Sequence, residues 1–290
     1  TTAVAGVNDA ATGSVTISGT STEDQELTAA NTLADADGLG TISYAWKRAG
    51  SAISGATSTT YTLVQADVGS AITVTASYTD GQGTAESSTS AATAAVANVN
   101  DAGSGLSLAS DGTVADPDEG DALSVTGTLA DEDGVTNAAP TYVWKRAGTA
   151  ISSATSSSYT LVQADVGAII SVVISYTDDQ SESNTITLTA ASDVDNVNDD
   201  PTGTVSITGT AQEDEVLGIA HSLADEDGLG TFSYQWSRAG TDVSGETGLT
   251  YTLGQSDVGS TITVTISYTD GQGTEESETS AATSTVQNVN

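Results

Sequence analysis

Tyr44-Ala45-Trp46-Lys47-Arg48-Ala49-Gly50 is followed by Tyr61-Thr62-Leu63-Val64-Gln65-Ala66-Asp67-Val68-Gly69 and then by Ser77-Tyr78-Thr79-Asp80. The same three strings return, with few changes, at Tyr142 to Gly148, Tyr159 to Gly167 and Ser175 to Asp178. They return again at Tyr234 to Gly240, Tyr251 to Gly259 and Ser267 to Asp270. Each copy closes on Asn-Val-Asn, at 98–100, 196–198 and 288–290. Trp46 and Trp144 are 98 residues apart and Trp144 and Trp236 are 92 apart, so one unit of ordinary domain size is written three times. The repeats assign residues 1–98, 99–196 and 197–290 to three tandem domains. The six additional residues of the second unit fall around Asp116-Pro117-Asp118 and Thr136-Asn137, in turn-rich stretches that tolerate insertion. Val7-Asn8-Asp9 repeats the linker, and the last three residues stop inside another one, so the expectation is a piece of a longer array.

Within a unit the apolar period is two. Val15-Thr16-Ile17-Ser18, residues 41–46 and residues 71–78 alternate apolar with polar side chains, the pattern of strands that cover a core on one face. Thr, Val and Ile supply β preference, and Gly, Asp and Ser clusters interrupt the runs every 8–12 residues. The reading is all-β, with seven or so strands per unit in an antiparallel sandwich. Trp46, Trp144 and Trp236 stand where the immunoglobulin-like fold, which the arrangement resembles, places its core tryptophan. Asp67, Asp165 and Asp257 match the corner between strands E and F of that fold.

Composition narrows the functions. The 290 residues hold 39 Asp and Glu against 5 Lys and Arg, a formal charge of −34, and only 4% aromatic residues. Such a chain repels nucleic acid and anionic membranes, and no apolar run is long enough to span a bilayer. With no Cys and one His it has no thiol nucleophile, disulfide or Cys/His zinc site, so any metal must be a hard cation held by oxygen. His221 aligns with Asn31 and Gly127, which points to a surface place rather than to chemistry. The basic residues all follow the core tryptophan, where Arg paired with an acid is the structural reading. No Gly-x-Ser-x-Gly elbow is present, and triplication of the whole pattern argues against a single active site, so the chain reads as a non-enzyme.

The acids lie between strands. The first unit gathers them at Asp9, at Glu23 and Asp24, at Asp35 and Asp37, and at Asp80. The second has Asn100 and Asp101, Glu119, Asp131 and Asp133, and Asp178. The third has Asn198 and Asp199, Glu213 and Asp214, Asp225 and Asp227, and Asp270. On an immunoglobulin-like sandwich, the B–C loop, the F–G loop and the incoming linker share one pole, whereas the A–B turn lies at the other. In a head-to-tail array the A–B acids of one unit would meet the linker, B–C and F–G acids of the next. Six to eight oxygens converging there require a cation, and calcium, which takes 6–8 oxygen ligands, suits them better than magnesium. The loops are not EF-hands, because no glutamate follows at the twelfth position between helices.

Taken together, these strings resemble the tandem extender repeats of large bacterial surface adhesins of the biofilm-associated and repeats-in-toxin types. Asn198-Asp199-Asp200-Pro201 is similar to the Asn-Asp-x-Pro linker of cadherin-like repeats, whereas Asp9 and Asp101 are followed by Ala rather than by that pattern. The resemblance implies immunoglobulin-like domains in a linear rod, stiffened by Ca²⁺, at the extracellular cell surface. Its partners would be neighbouring repeats of the same chain, and its task to project a distal binding domain for adhesion or biofilm formation. A self-assembling filament or surface-layer subunit, associating into fibres, and a glycan-binding repeat are the alternatives from other classes.

Overall fold

The computed structural model describes residues 7–289. The first repeat forms seven strands: β1 (Val15–Ser18), β2 (Glu26–Asn31), β3 (Ser43–Arg48), β4 (Ser51–Ala52), β5 (Thr60–Thr62), β6 (Ile72–Thr79) and β7 (Ala85–Thr89). They pair as a three-stranded sheet β1-β2-β5 and a four-stranded sheet β4-β3-β6-β7, antiparallel throughout. In immunoglobulin terms these are sheets A-B-E and C′-C-F-G, so the fold is the immunoglobulin-like sandwich expected from the alternation. β3 begins two residues later than the alternation implied, at Ser43, and runs on through Lys47 and Arg48.

Alternate residues of β6 explain the layer: Ile72, Val74, Ala76 and Tyr78 point inward and are at most 4% exposed. They meet Trp46 from β3, Val15 and Leu27 from the facing sheet and Leu63 just after β5. Each fully buried aliphatic side chain contributes roughly 1.5–3 kcal/mol. Trp46 is fully buried, donates its indole N–H to the Ser58 carbonyl at 2.9 Å and lies 5.7 Å from the Tyr61 ring. The β3–β4 hairpin turns on Ala49 and Gly50 alone, both with positive φ, which is why Ala-Gly follows Arg in every repeat.

The third repeat is built in the same way from β15 (Val205–Thr208), β16 (Val216–His221), β17 (Ser233–Arg238), β18 (Thr241–Asp242), β19 (Thr250–Thr252), β20 (Ile262–Thr269) and β21 (Glu275–Thr279). Its sheets are β15-β16-β19 and β18-β17-β20-β21. The second repeat has β8 (Ser104–Ser110), β9 (Ala122–Ala130), β10 (Thr141–Arg146), β11 (Thr149–Ala150), β12 (Ser158–Thr160), β13 (Ile169–Thr177) and β14 (Ser183–Asp193), in sheets β12-β9-β8 and β11-β10-β13-β14.

The chain divides into two compact units that do not follow the sequence repeats. One holds the first repeat through Leu106 together with Gly127–Thr141 and Ile174–Ile186, and the other holds Ser107–Thr126, Tyr142–Val173 and the chain from Thr187 on. The B–C and F–G loops of the second repeat thus belong to the first unit, and its A–B turn to the second. Among the described residues no helix is long and apolar enough to cross a membrane.

Candidate metal centres

The B–C loop places its two aspartates by local chemistry. The Asp35 carboxylate accepts the Asp37 N–H at 2.9 Å, an Asx turn, and its other oxygen accepts the Tyr78 hydroxyl at 2.5 Å. Asp131 and Asp225 repeat both bonds, to Asp133 and Tyr176 and to Asp227 and Tyr268. The tyrosine hydroxyls respond: burial, and then the bond to Asp35, pushes Tyr78 up to about 12. Tyr176 and Tyr268 are raised in the same way, so all three remain donors at neutral pH.

The second aspartate of each loop reaches the incoming linker. Asp37 accepts the Asp9 N–H at 2.7 Å, Asp133 the Asp101 N–H at 2.9 Å and Asp227 the Asp199 N–H at 2.8 Å. In the second repeat the inserted Thr136 and Asn137 donate their N–H groups to Asp179, which closes the longer loop without disturbing Asp133.

The A–B turn arrives from the preceding repeat. Glu23, 2% exposed, donates its N–H to the Ala97 carbonyl, and its carboxylate accepts the Val99 N–H at 3.3 Å. Its carboxylate comes together with those of Asp101 and Asp133, so that one oxygen of each lies within 4.8 Å of the others. In the second unit Glu119, Asp199 and Glu226 form the corresponding trio. These meetings join an A–B acid to the linker and B–C acids of the following repeat, whereas the F–G acids Asp80, Asp178 and Asp270, expected in the same meeting, belong to neither trio. Glu213 at the end of the third repeat accepts the Val289 N–H at 3.4 Å, repeating the linker contact of Glu23.

Each trio concentrates negative charge in a partly dehydrated place. Glu23 is raised above its ordinary value by burial, with Asp101, Asp133 and Asp24 adding to the shift against the opposing Val99 N–H. Asp101 is raised by burial and then by Asp133, Glu132 and Asp24. Burial raises Glu119, and Asp199, Asp227 and Glu226 raise it further. Amide oxygens stand beside these acids. Gln65 donates to Asp133 at 3.1 Å and Gln163 to Asp227 at 2.9 Å. The Oε1 atoms of both glutamines, the Oδ1 atoms of Asn98 and Asn196, and Glu119 Oε2 are buried and accept no hydrogen bond. Carboxylate and amide oxygens with free lone pairs are the kind of donor a hard divalent cation uses.

The other sequence-selected acids lie elsewhere. Asp35, Asp131 and Asp225 engage tyrosine rather than a trio. Asp24 and Asp214 hold the left-handed position of the A–B turn, with φ of 62° and 64°. Asp80, Asp178 and Asp270 cap the F–G turn through backbone N–H groups. Asn100 pairs with Asn184, and Asn198 donates to Glu276. Glu226, Gln65 and Gln163 were not among the selected residues. Their signal was present in the acid between Asp225 and Asp227, and in a glutamine recurring two residues before each corner aspartate.

The corner aspartates are separate from these centres. Asp67, fully buried, accepts Arg48 Nε at 2.7 Å, the Tyr61 hydroxyl at 2.8 Å and the Val64 N–H at 3.0 Å. Asp165 and Asp257 repeat the arrangement with Arg146 and Arg238. His221 is exposed, with its ring edge-on to Phe232 at 4.8 Å.

No protein-family model and no curated protein matches the chain. Among solved structures it is similar to the tetra-tandem repeat in the extending region of a large adhesion protein, at 19% identity and TM-score 0.30, covering 96% of this chain and 76% of that one. A Ca²⁺-stabilized adhesin of an Antarctic bacterium aligns at 14% identity and TM-score 0.30, over 97% and 75% of the two chains. Domains A168–A170 of titin align at 11% identity and TM-score 0.27, over 95% and 99%.

Proposed function

We propose that this chain is an extender segment of a bacterial surface adhesin, made of three immunoglobulin-like repeats (1–98, 99–196 and 197–290) and stiffened by calcium where successive repeats meet. The observation that carries the reading is the composition of the two acid trios. Each takes one carboxylate from the A–B turn of one repeat and two from the linker and B–C loop of the next, and Gln65 and Gln163, whose Oε1 atoms are buried and unpartnered, donate to aspartates of those B–C loops. Calcium would be held by Glu23, Asp101 and Asp133 in one centre and by Glu119, Asp199 and Glu226 in the other. Bound there, it removes the mutual repulsion of the acids and ties the linker to both repeats. Weak multi-oxygen sites of this kind suit millimolar extracellular calcium, consistent with a place on the cell surface. The task is mechanical: to hold a distal binding domain away from the cell.

Calcium titration of the chain, followed by thermal melting and small-angle scattering, tests the reading. The expected result is a rise in melting temperature and a narrower distribution of inter-repeat distances. An unchanged melt and scattering curve at millimolar calcium would overturn it.

A further inference from the structure

Asp80, Asp178 and Asp270 take the same place at the start of the F–G turn, and all three are buried, at 6%, 5% and 7% exposure. Each uses Oδ1 to accept backbone N–H groups of that turn, from Gln82 and Thr84, from Gln180 and Glu182, and from Gln272, Gly273 and Thr274. Their second oxygens are treated differently. In the second repeat Asn184 donates its amide to Asp178 Oδ2 at 2.8 Å, and Asn100 donates to Asn184 Oδ1 at 2.9 Å. In the first and third repeats, Oδ2 of Asp80 and of Asp270 is buried and accepts no hydrogen bond.

Six residues after the aspartate, where the second repeat has Asn184, the other two have Glu86 and Glu276. Both lie directly opposite a tyrosine, Glu86 across from Tyr78 and Glu276 across from Tyr268. The linker asparagine steadies each: Asn8 donates to Glu86 at 2.8 Å and Asn198 to Glu276 at 2.9 Å, as Asn100 does to Asn184. The same backbone frame therefore presents an amide donor in one repeat and a second carboxylate in the other two. A carboxylate set where Asn184 stands in the second repeat, next to a buried lone pair that no donor meets, is costly unless positive charge joins them. Among the described residues no lysine, arginine or histidine forms an ion pair with these four carboxylates. Tyr78 and Tyr268 are committed to Asp35 and Asp225, and the arginines to the corner aspartates.

We propose that Asp80 with Glu86, and Asp270 with Glu276, form a divalent-cation site distinct from the acid trios, and that in the second repeat the carboxamide of Asn184 stands in place of that ion. The repeats thus differ in how much calcium they demand. In the second repeat Asn184 satisfies the F–G aspartate, whereas Oδ2 of Asp80 and of Asp270 stays open until an ion arrives. The site stands apart from the trio reading, because the two use different carboxylates.

Calcium stoichiometry of the full chain, by equilibrium dialysis, reads the proposal. Terbium emission excited through tyrosine provides a second readout. Substituting Glu86→Asn together with Glu276→Asn should remove about two ions per chain and lower the terbium signal, with the fold kept, since the second repeat already folds with Asn there. Asn184→Glu should add about one ion. Glu23→Gln with Glu119→Gln should remove trio ions while leaving these sites filled, which separates failure of this proposal from failure of the trio reading. Unchanged stoichiometry in the Glu86/Glu276 pair, or no gain in Asn184→Glu, would overturn it. So would a Glu86→Asn effect confined to the pH dependence of melting, the mark of a shared proton rather than an ion.

Discussion

Asp67 and Glu23 are both buried carboxylates of the first repeat, at 0% and 2% exposure, yet the chain provides for them in opposite ways. Asp67 meets an arginine, a tyrosine hydroxyl and a backbone N–H. Glu23 meets one backbone N–H and two further acids. With only five basic residues available, the three arginines all go to the corner, where the charge lies inside a single repeat. Where one repeat meets the next, carboxylates collect, and among the described residues no basic side chain pairs with them. The corner is therefore neutralised within one repeat, whereas on the proposed reading the meeting of repeats depends on calcium from the medium.

The largest effect should come from breaking the corner. Asp67→Ala strands Arg48, Tyr61 and the Val64 N–H together, and should cost about 3–5 kcal/mol, read as a lower melting temperature that added calcium does not restore. Substitution in a trio should behave differently, because its sign depends on the ion. Glu23→Gln with Asp133→Asn should raise the melting temperature by a few degrees in chelator and lower the calcium-dependent gain, measured by paired melts with and without calcium. A loss of stability in chelator would show that the trio is not a repulsive cluster.

Changing pH sharpens the same contrast. Glu23, Asp101 and Glu119 are raised in the folded chain, so they favour folding while protonated, and that advantage disappears as pH rises through their raised values. At the corner, burial would raise Asp257, but the Gly254 N–H, Tyr251 and Arg238 together hold it low, so its stabilisation is present at neutral pH and lost in acid. Melts in chelator from about pH 4 to about pH 7 should therefore show Glu23→Gln with Glu119→Gln gaining most on the wild type at the upper end. Calcium should abolish that gain. The smallest effect belongs to Gln65→Ala, which removes one neutral-to-charged hydrogen bond to Asp133 and should cost about 1.5 kcal/mol without changing the sign of the calcium response.

The strands were legible because alternation along residues such as Ile72, Val74, Ala76 and Tyr78 needs only a one-sided core to explain it. Loop positions follow from strand order, so an approach of A–B acids to the linker and B–C acids of the next repeat could be expected, but the same reasoning also expected the F–G acids, which join neither trio. The division of labour within each loop was not legible. Asp35 and Asp37 are two residues apart and chemically identical, but an Asx turn and Tyr78 claim the first while the linker claims the second. Nor did residue type reveal that Glu226 rather than Asp227, the counterpart of Asp133, would join its trio, because that depends on which way the turn aims each side chain.

Repetition, period-two alternation and the shortage of basic residues by themselves determined three sandwich-forming units whose loop acids exceed any internal means of neutralisation. Tertiary structure alone decided which acids are shared. Glu23 and Asp133 are 110 residues apart, and only the close approach of an A–B turn to a following B–C loop puts their charges into one dehydrated place. Composition counts charges, whereas their energy depends on distance and on the water removed from between them.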